Sequence, residues 1–155
     1  METPIERPAF TVAGFSARTT NAREMSGEGV IAAMWQRVLS EGLIEKIPNR
    51  VDDNVIALYS NYESDLNGEY DFLIGARVKT AEFIAGLTVV TVPSARYAVL
   101  HSESGPSWKT VPETWKKVWE TFGEERSYIA DFELYDGRAA DPHNMVVEVW
   151  VGVKR

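Results

Sequence analysis

The stretch NVIALYSNYESDLNGEYDFLIGARVK, residues 54–79, decides how the rest of the chain is read. NVIALYSNY (54–62) and YDFLIGARVK (70–79) are both rich in the β-branched and aromatic residues of strands. Asn67-Gly68 lies between them, and that dipeptide suits the positive backbone angles of a tight antiparallel turn. A β-hairpin over 54–79 is therefore expected. Upstream, residues 27–41 place Val30, Ile31, Met34, Trp35, Val38 and Leu39 at helical spacing, with Ser26 positioned to cap the helix and Gly42 to end it. PAFTVAGFSART (8–19) before that helix reads as another strand. The first half is then strand, helix, strand, strand.

The second half repeats the order. LTVVTVPSARYAVLHS (87–102) predicts a long strand, broken or bent at Pro93, because proline cannot donate to a ladder. Residues 109–122 carry Val111, Trp115, Val118, Trp119 and Phe122 at helical spacing, with Pro112 near the start. YIADFELYD (128–136) and MVVEVWVGV (145–153) are strands around the loop GRAADPHN. Residue matches reinforce the echo. Ser16-Ala17-Arg18 answers Ser94-Ala95-Arg96, and Met34-Trp35-Gln36-Arg37-Val38 answers Thr114-Trp115-Lys116-Lys117-Val118. Tyr62-Glu63 answers Phe132-Glu133, and Gly75-Ala76-Arg77-Val78 answers Gly152-Val153-Lys154. The pattern predicts an α+β fold made of two duplicated βαββ halves, about 8–79 and 87–155, related by a pseudo-twofold axis within one domain, 1–155. Both helices should cover one side of antiparallel sheets, which leaves a ligand cleft on the other.

Composition narrows the functions. The 155 residues include no cysteine, which removes disulfide scaffolds, thiol catalysis, zinc fingers and iron–sulfur clusters, and fits a reducing cytoplasm. Sixteen basic residues against 23 acidic ones give a net charge of −7, and the only dense basic group is Lys109, Lys116 and Lys117. Nucleic-acid binding draws on phosphate neutralisation by a basic face, so direct contact with DNA is not expected. METPIERPAF at the start has no apolar core of a signal peptide, and no apolar run approaches the roughly 18 residues of a membrane span. No metal-ligand spacing, phosphate loop or nucleophile motif is present, and no cofactor is expected. His101 and His143 stand apart from any catalytic motif.

Alternation in 128–136 separates Tyr128, Ala130, Phe132 and Leu134 from Ile129, Asp131, Glu133 and Tyr135. The apolar set is the natural partner for the helices, which puts Glu133 beside Tyr135 on the free face. The aromatics of the helix stripes, Trp35, Trp115 and Phe122, read as core. Trp108 falls in the polar loop HSESGPSWK, where no stripe accounts for it, and suits a loop anchor or a pocket lid.

LYSNYESDLNGEYDFLIGARV (58–78), PSARYAVL (93–100) and FELYDG (132–137), together with the duplicated plan, resemble the GyrI-like or AraC/BmrR-type effector-binding domain, and in particular its stand-alone members carried on integron gene cassettes. The resemblance implies a multidrug-sensor-like protein of the cytoplasm that binds lipophilic cations in an aromatic pocket. It assigns the pocket's buried carboxylate to Glu133, with Tyr59, Tyr70, Phe72, Tyr97, Trp108 and Tyr135 as candidate aromatic walls. A helix-turn-helix domain usually accompanies this family's domain. No stretch of this chain supplies one, so transcriptional action implies a DNA-binding partner in trans. Hydrolysis of cyclopropanoid toxins and contact with gyrase are the alternative activities that the family implies.

Overall fold

The computed structural model describes residues 3–155. Eight strands alternate with three helices: β1 (Ile5–Arg7), β2 (Phe10–Thr20), α1 (Asn21–Met25), α2 (Ile31–Ser40), β3 (Val55–Ser60), β4 (Glu69–Val78), β5 (Thr88–Val92), β6 (Ala95–His101), α3 (Ser107–Thr121), β7 (Arg126–Tyr135) and β8 (Glu148–Val153). They form one antiparallel sheet in the order β1-β6-β8-β7-β3-β4-β2-β5. The expected class holds. β2-α2-β3-β4 and β6-α3-β7-β8 are the two βαββ units, and they meet where β3 pairs with β7. The hairpin predicted from residues 54–79 is β3–β4.

Pro93 does more than bend a strand. Residues 88–92 pair with β2 at one end of the sheet, and residues 95–101 pair with β1 and β8 at the other. Pro93-Ser94 and Pro8-Ala9 are thus two-residue links between opposite ends of the sheet, which must curl to be spanned by them. The rings of Phe10 on β2 and Phe132 on β7 lie 5.2 Å apart although β3 and β4 separate their strands. In a flat sheet three strand spacings would put them roughly 14 Å apart. The face that carries Phe132 is therefore the inside of the curl.

That face is filled by the protein itself: Phe10, Val12, Ile56, Leu58, Leu73, Val92, Tyr97 and Phe132 are buried in one cluster. The helices pack on the other face, α2 through Val38 against Tyr70, Phe72 and Ile74, and α3 through Val118 and Phe122 against Ala98, Val149 and Val151. Both helices share a side of the sheet, as expected, but β7 presents its faces the other way round from the expectation. Glu133 stands opposite Val149 in the ladder and Asp131 opposite Val151, so the carboxylates and Tyr135 look toward the helices. Phe132 looks into the curl. Period-two alternation fixes which residues share a face but not which face the helices take, and both faces of this strand are buried. The face expected to hold the cleft is occupied by core, and the open space lies on the helix side.

The first helix also differs from expectation. The stretch before 31 forms a separate short helix, α1, whose C-terminal cap is Ser26. Gly27 takes φ +85°, a conformation that excludes continuation of the helix. The Glu24 carboxylate, not Ser26, caps α2, accepting from the Val30 and Ile31 backbone N–H groups at 2.9 and 3.0 Å. Leu39, placed on the apolar stripe by spacing, is exposed.

Candidate functional site

A cavity of about 590 Å³ opens between the helices and the sheet at the β3–β7 seam. Its lining includes Trp35 from α2, Trp108 and Trp115 from α3, Tyr59 from β3, Tyr70 from β4, and Glu133 and Tyr135 from β7. Glu133 is 2% exposed. Across the ladder it faces Ala57, a small residue that leaves room around the carboxylate. Three neutral donors converge there. The Tyr135 hydroxyl donates to Oε1 at 2.6 Å, the Tyr59 hydroxyl to Oε2 at 2.6 Å and the Trp115 indole N–H to Oε2 at 2.8 Å. Burial pushes the Glu133 carboxyl up from its ordinary range, and the three hydrogen bonds, which favour the ionised form, pull against that. Among the described residues no cation pairs with it. Burial beside the carboxylate also holds the Tyr59 and Tyr135 phenols well above their ordinary value, so both remain donors at neutral pH.

The aromatic rings form a connected wall. Tyr59 lies 5.0 Å from Trp115 and 5.5 Å from Tyr70, and Trp35 meets Tyr135 edge-on at 4.9 Å. Beside them sits a second acidic group with its charge already matched. Asp131 accepts from Arg126 at 2.7 Å, from the Gly152 backbone N–H at 2.7 Å and from the Tyr62 hydroxyl. In a regular strand, residues 126 and 131 would be roughly 16 Å apart. They touch because the register of β7 against β8 shifts between them, with Tyr128 at φ 52°. Gly152 lies under this bulge, where a Cβ would come within 2.5 Å of the Ala130 carbonyl oxygen. The Asp131–Arg126 pair is neutral as a unit, which leaves Glu133 as the unmatched buried charge of the cavity.

The structure brings Glu133, Tyr59, Tyr70, Trp108 and Tyr135 together from the set proposed on sequence grounds. Phe72 lies beneath the cavity, 5.0 Å from the Tyr59 ring and fully buried in the core. Tyr97 is on the opposite sheet face, inside the curl, where it packs against Phe132. Trp108 belongs to the first turn of α3 rather than to a loop and stands 78% exposed at the rim. Trp35 and Trp115, read as core, are cavity walls. A signal for them was present: each occupies the same position in its repeat, and an indole that packs against a sheet needs an acceptor for its N–H. The grouping of Tyr62, Arg126 and Asp131 is not visible in spacing or alternation, because only the bulge brings them together.

The family of integron-associated effector-binding proteins matches residues 5–153. The chain belongs to that family. It is 37% identical over 147 residues to YobU of Bacillus subtilis (strain 168), a protein named as a candidate transcriptional regulator, with 92% of this chain and 91% of the relative covered. An integron cassette protein from the mobile metagenome of Vibrio cholerae superposes with a TM-score of 0.75 at 29% identity, over 98% of this chain and 95% of that one. The structure of SAV2435 bound to tetraphenylphosphonium superposes with a TM-score of 0.79 at 25% identity, over 99% and 94% of the two chains. Among the described residues no helix is long and apolar enough to cross a membrane.

Removing the Trp115 indole donor tests how the site holds its charge. Trp115→Phe keeps a ring in the wall but deletes a hydrogen bond to a charged group, an interaction of about 1.5–3 kcal/mol. The Glu133 midpoint should rise by about one to two pH units. Following the Glu133 carboxyl by NMR against pH in both proteins would show its midpoint displaced upward in the variant; superimposable curves would mean that the indole does not support the carboxylate.

Proposed function

We propose that this effector-binding protein takes lipophilic organic cations into the cavity at the β3–β7 seam, with Glu133 as counter-ion and Tyr59, Tyr70, Tyr135, Trp35 and Trp115 as walls and Trp108 at the mouth. The observation that carries the reading is a fully buried carboxylate, held by three neutral donors and matched by no cation, in the wall of an aromatic cavity. A delocalised cation gives up little hydration on entry and is attracted by both the carboxylate and the ring faces. The tetraphenylphosphonium complex of SAV2435 supports the same ligand class. Calorimetry with tetraphenylphosphonium and with neutral triphenylphosphine oxide tests it. Tighter binding of the cation than of the neutral oxide is the expected result; equal affinity for both would remove charge selection from the reading.

The site is that of a binder rather than of a hydrolase. The three donors around Glu133 are neutral hydroxyl and indole groups, and neither His101 nor His143 lines the cavity. With a net charge of −7, action on transcription would run through a DNA-binding partner in trans, and a cytoplasmic setting suits such a role.

Linkage fixes the sign of the pH dependence. The folded, empty protein binds the Glu133 proton more tightly than the unfolded chain does, so ionisation of Glu133 counts against folding. Relative to Glu133→Gln, the wild type should be less stable at neutral pH. The gap should close as pH falls through the raised midpoint toward the ordinary glutamate range. Cation affinity should fall over the same window, because the proton competes with the ligand. Urea unfolding of both proteins from neutral to mildly acidic pH measures the gap; a gap that widened on acidification would contradict the assignment.

A further inference from the structure

Phe132, the residue before Glu133, points into the curl of the sheet, and a cation sits there already. The Arg7 guanidinium carbon lies 4.6 Å from the ring centroid of Phe10, 5.0 Å from that of Trp150 and 5.2 Å from that of Phe132. Phe132 and Trp150 are stacked at 5.2 Å, and Tyr97 closes edge-on against both at 5.3 and 5.7 Å. Among the described residues the Arg7 side chain makes no hydrogen bond or ion pair. Ring faces surround its charge, and Glu148 and Asp52 attract it only through space, without a hydrogen bond.

The element that delivers Arg7 is slight. β1 is three residues long, lies at the edge of the sheet and pairs only with β6. Its other clasp is Glu6, which meets Arg96 at 3.4 Å and Arg155 at 2.9 Å. Both pairs are exposed to solvent, and pairs of that kind contribute about 1 kcal/mol or less. Beneath Arg7 the rings of Phe10 and Phe132 are buried and meet at 5.2 Å across the curl.

We propose that this aromatic cage is a second organic-cation site, on the sheet face opposite the cavity, which the chain's own Arg7 occupies and which accepts compact quaternary ammonium or guanidinium ions when β1 lifts away. Aromatic cages of this kind suit such ions, because the ring quadrupoles attract a positive charge that sheds little water. Arg7 acts as a tethered competitor whose effective concentration, for a short tether, is of millimolar order. A free cation must exceed that level to enter, and its entry releases the N-terminal strand. The site does not depend on the role proposed for Glu133.

Two indole N–H groups report on the two faces. That of Trp150 donates to Glu148 beside the cage, and that of Trp115 donates to Glu133 in the cavity. In ¹⁵N-labelled full-length protein titrated with tetramethylammonium chloride against a matched sodium chloride series, Trp150→Phe assigns the first resonance and Trp115→Phe the second. In Arg7→Ala the Trp150 resonance should shift saturably at a concentration about tenfold lower than in the wild type. The Trp115 resonance should respond alike in both proteins, so failure of the cavity reading would show there and not at Trp150. A Trp150 resonance that stays put in a folded Arg7→Ala protein, or that moves at the same concentration with and without Arg7, overturns the proposal. Arg7→Gln, which keeps the stem over the rings, is read in the same way if the alanine variant fails to fold. Loss of fold in both would overturn it too, since Arg7 would then be part of the core and not the occupant of a site.

Discussion

Glu133→Gln is expected to weaken the binding of a lipophilic cation by about 1–3 kcal/mol, roughly five- to 150-fold, and to leave a neutral ligand of the same shape unaffected or slightly favoured. The amide keeps the volume of the carboxylate, so the aromatic walls should stay in place. What disappears is the buried charge of the cavity that, among the described residues, no cation matches. The figure stays below the full cost of breaking a buried ion pair because the ligand, unlike a tethered side chain, returns to water when it is not bound. A neutral ligand gains because no buried carboxylate has to go unmatched beneath it. High salt should weaken the wild-type complex only modestly, as screening acts mainly on exposed charges. Calorimetry on wild type and variant with tetraphenylphosphonium and triphenylphosphine oxide separates the terms. Equal losses for both ligands would mean that the substitution damaged shape, and no loss for either would place Glu133 outside the site.

The largest effect on stability should come from Asp131→Asn, at about 3–5 kcal/mol. Asp131 is fully buried and holds the bulge of β7 closed through Arg126, the Gly152 N–H and Tyr62. The asparagine cannot balance the charge of the Arg126 guanidinium, which is only 4% exposed. Urea unfolding would show a lowered midpoint with little change in slope if the native fold persists. A loss below about 1 kcal/mol, typical of an exposed pair, would show that the bulge rests on its backbone contacts alone. Because Arg126 and Trp115 both line the cavity, with the guanidinium 5.9 Å from the indole ring, cation affinity should fall along with stability.

Much of the fold was legible because it rests on local signals. Asn67-Gly68 marks the β3–β4 hairpin, and the stripe around Val111, Trp115 and Val118 marks α3. The two-halves plan shows in repeated residues. What stayed hidden was non-local. Proline at 93 signals an interruption, but no spacing says that the strand before it joins β2 while the strand after it joins β8. The orientation of β7 was ambiguous for a related reason. In a curled sheet packed on both faces, Phe132 and Glu133 are equally buried, and hydrophobicity no longer separates inside from outside. Glu133 was reached through resemblance, whereas Trp35 and Trp115 were hidden by their own spacing, since an aromatic at a helix stripe looks the same whether it meets core or cavity wall. Asp131 and Arg126 needed the bulge, which is a property of two strands and not of one.

The seam between β3 and β7 gives the proposed site a place in time as well as in space. Tyr59 comes from the first half of the chain, Trp115 and Glu133 from the second, and 74 residues separate the phenol from the carboxylate that it holds. Within each half the hairpins β3–β4 and β7–β8 pair through contacts close in sequence, but neither half alone contains the site. The seam contacts close longer loops than the hairpins do, which favours their forming later. The cavity therefore comes into being only as the two halves zip together, and an occupant that touches both becomes a rivet across the joint, slowing the step by which the molecule comes apart.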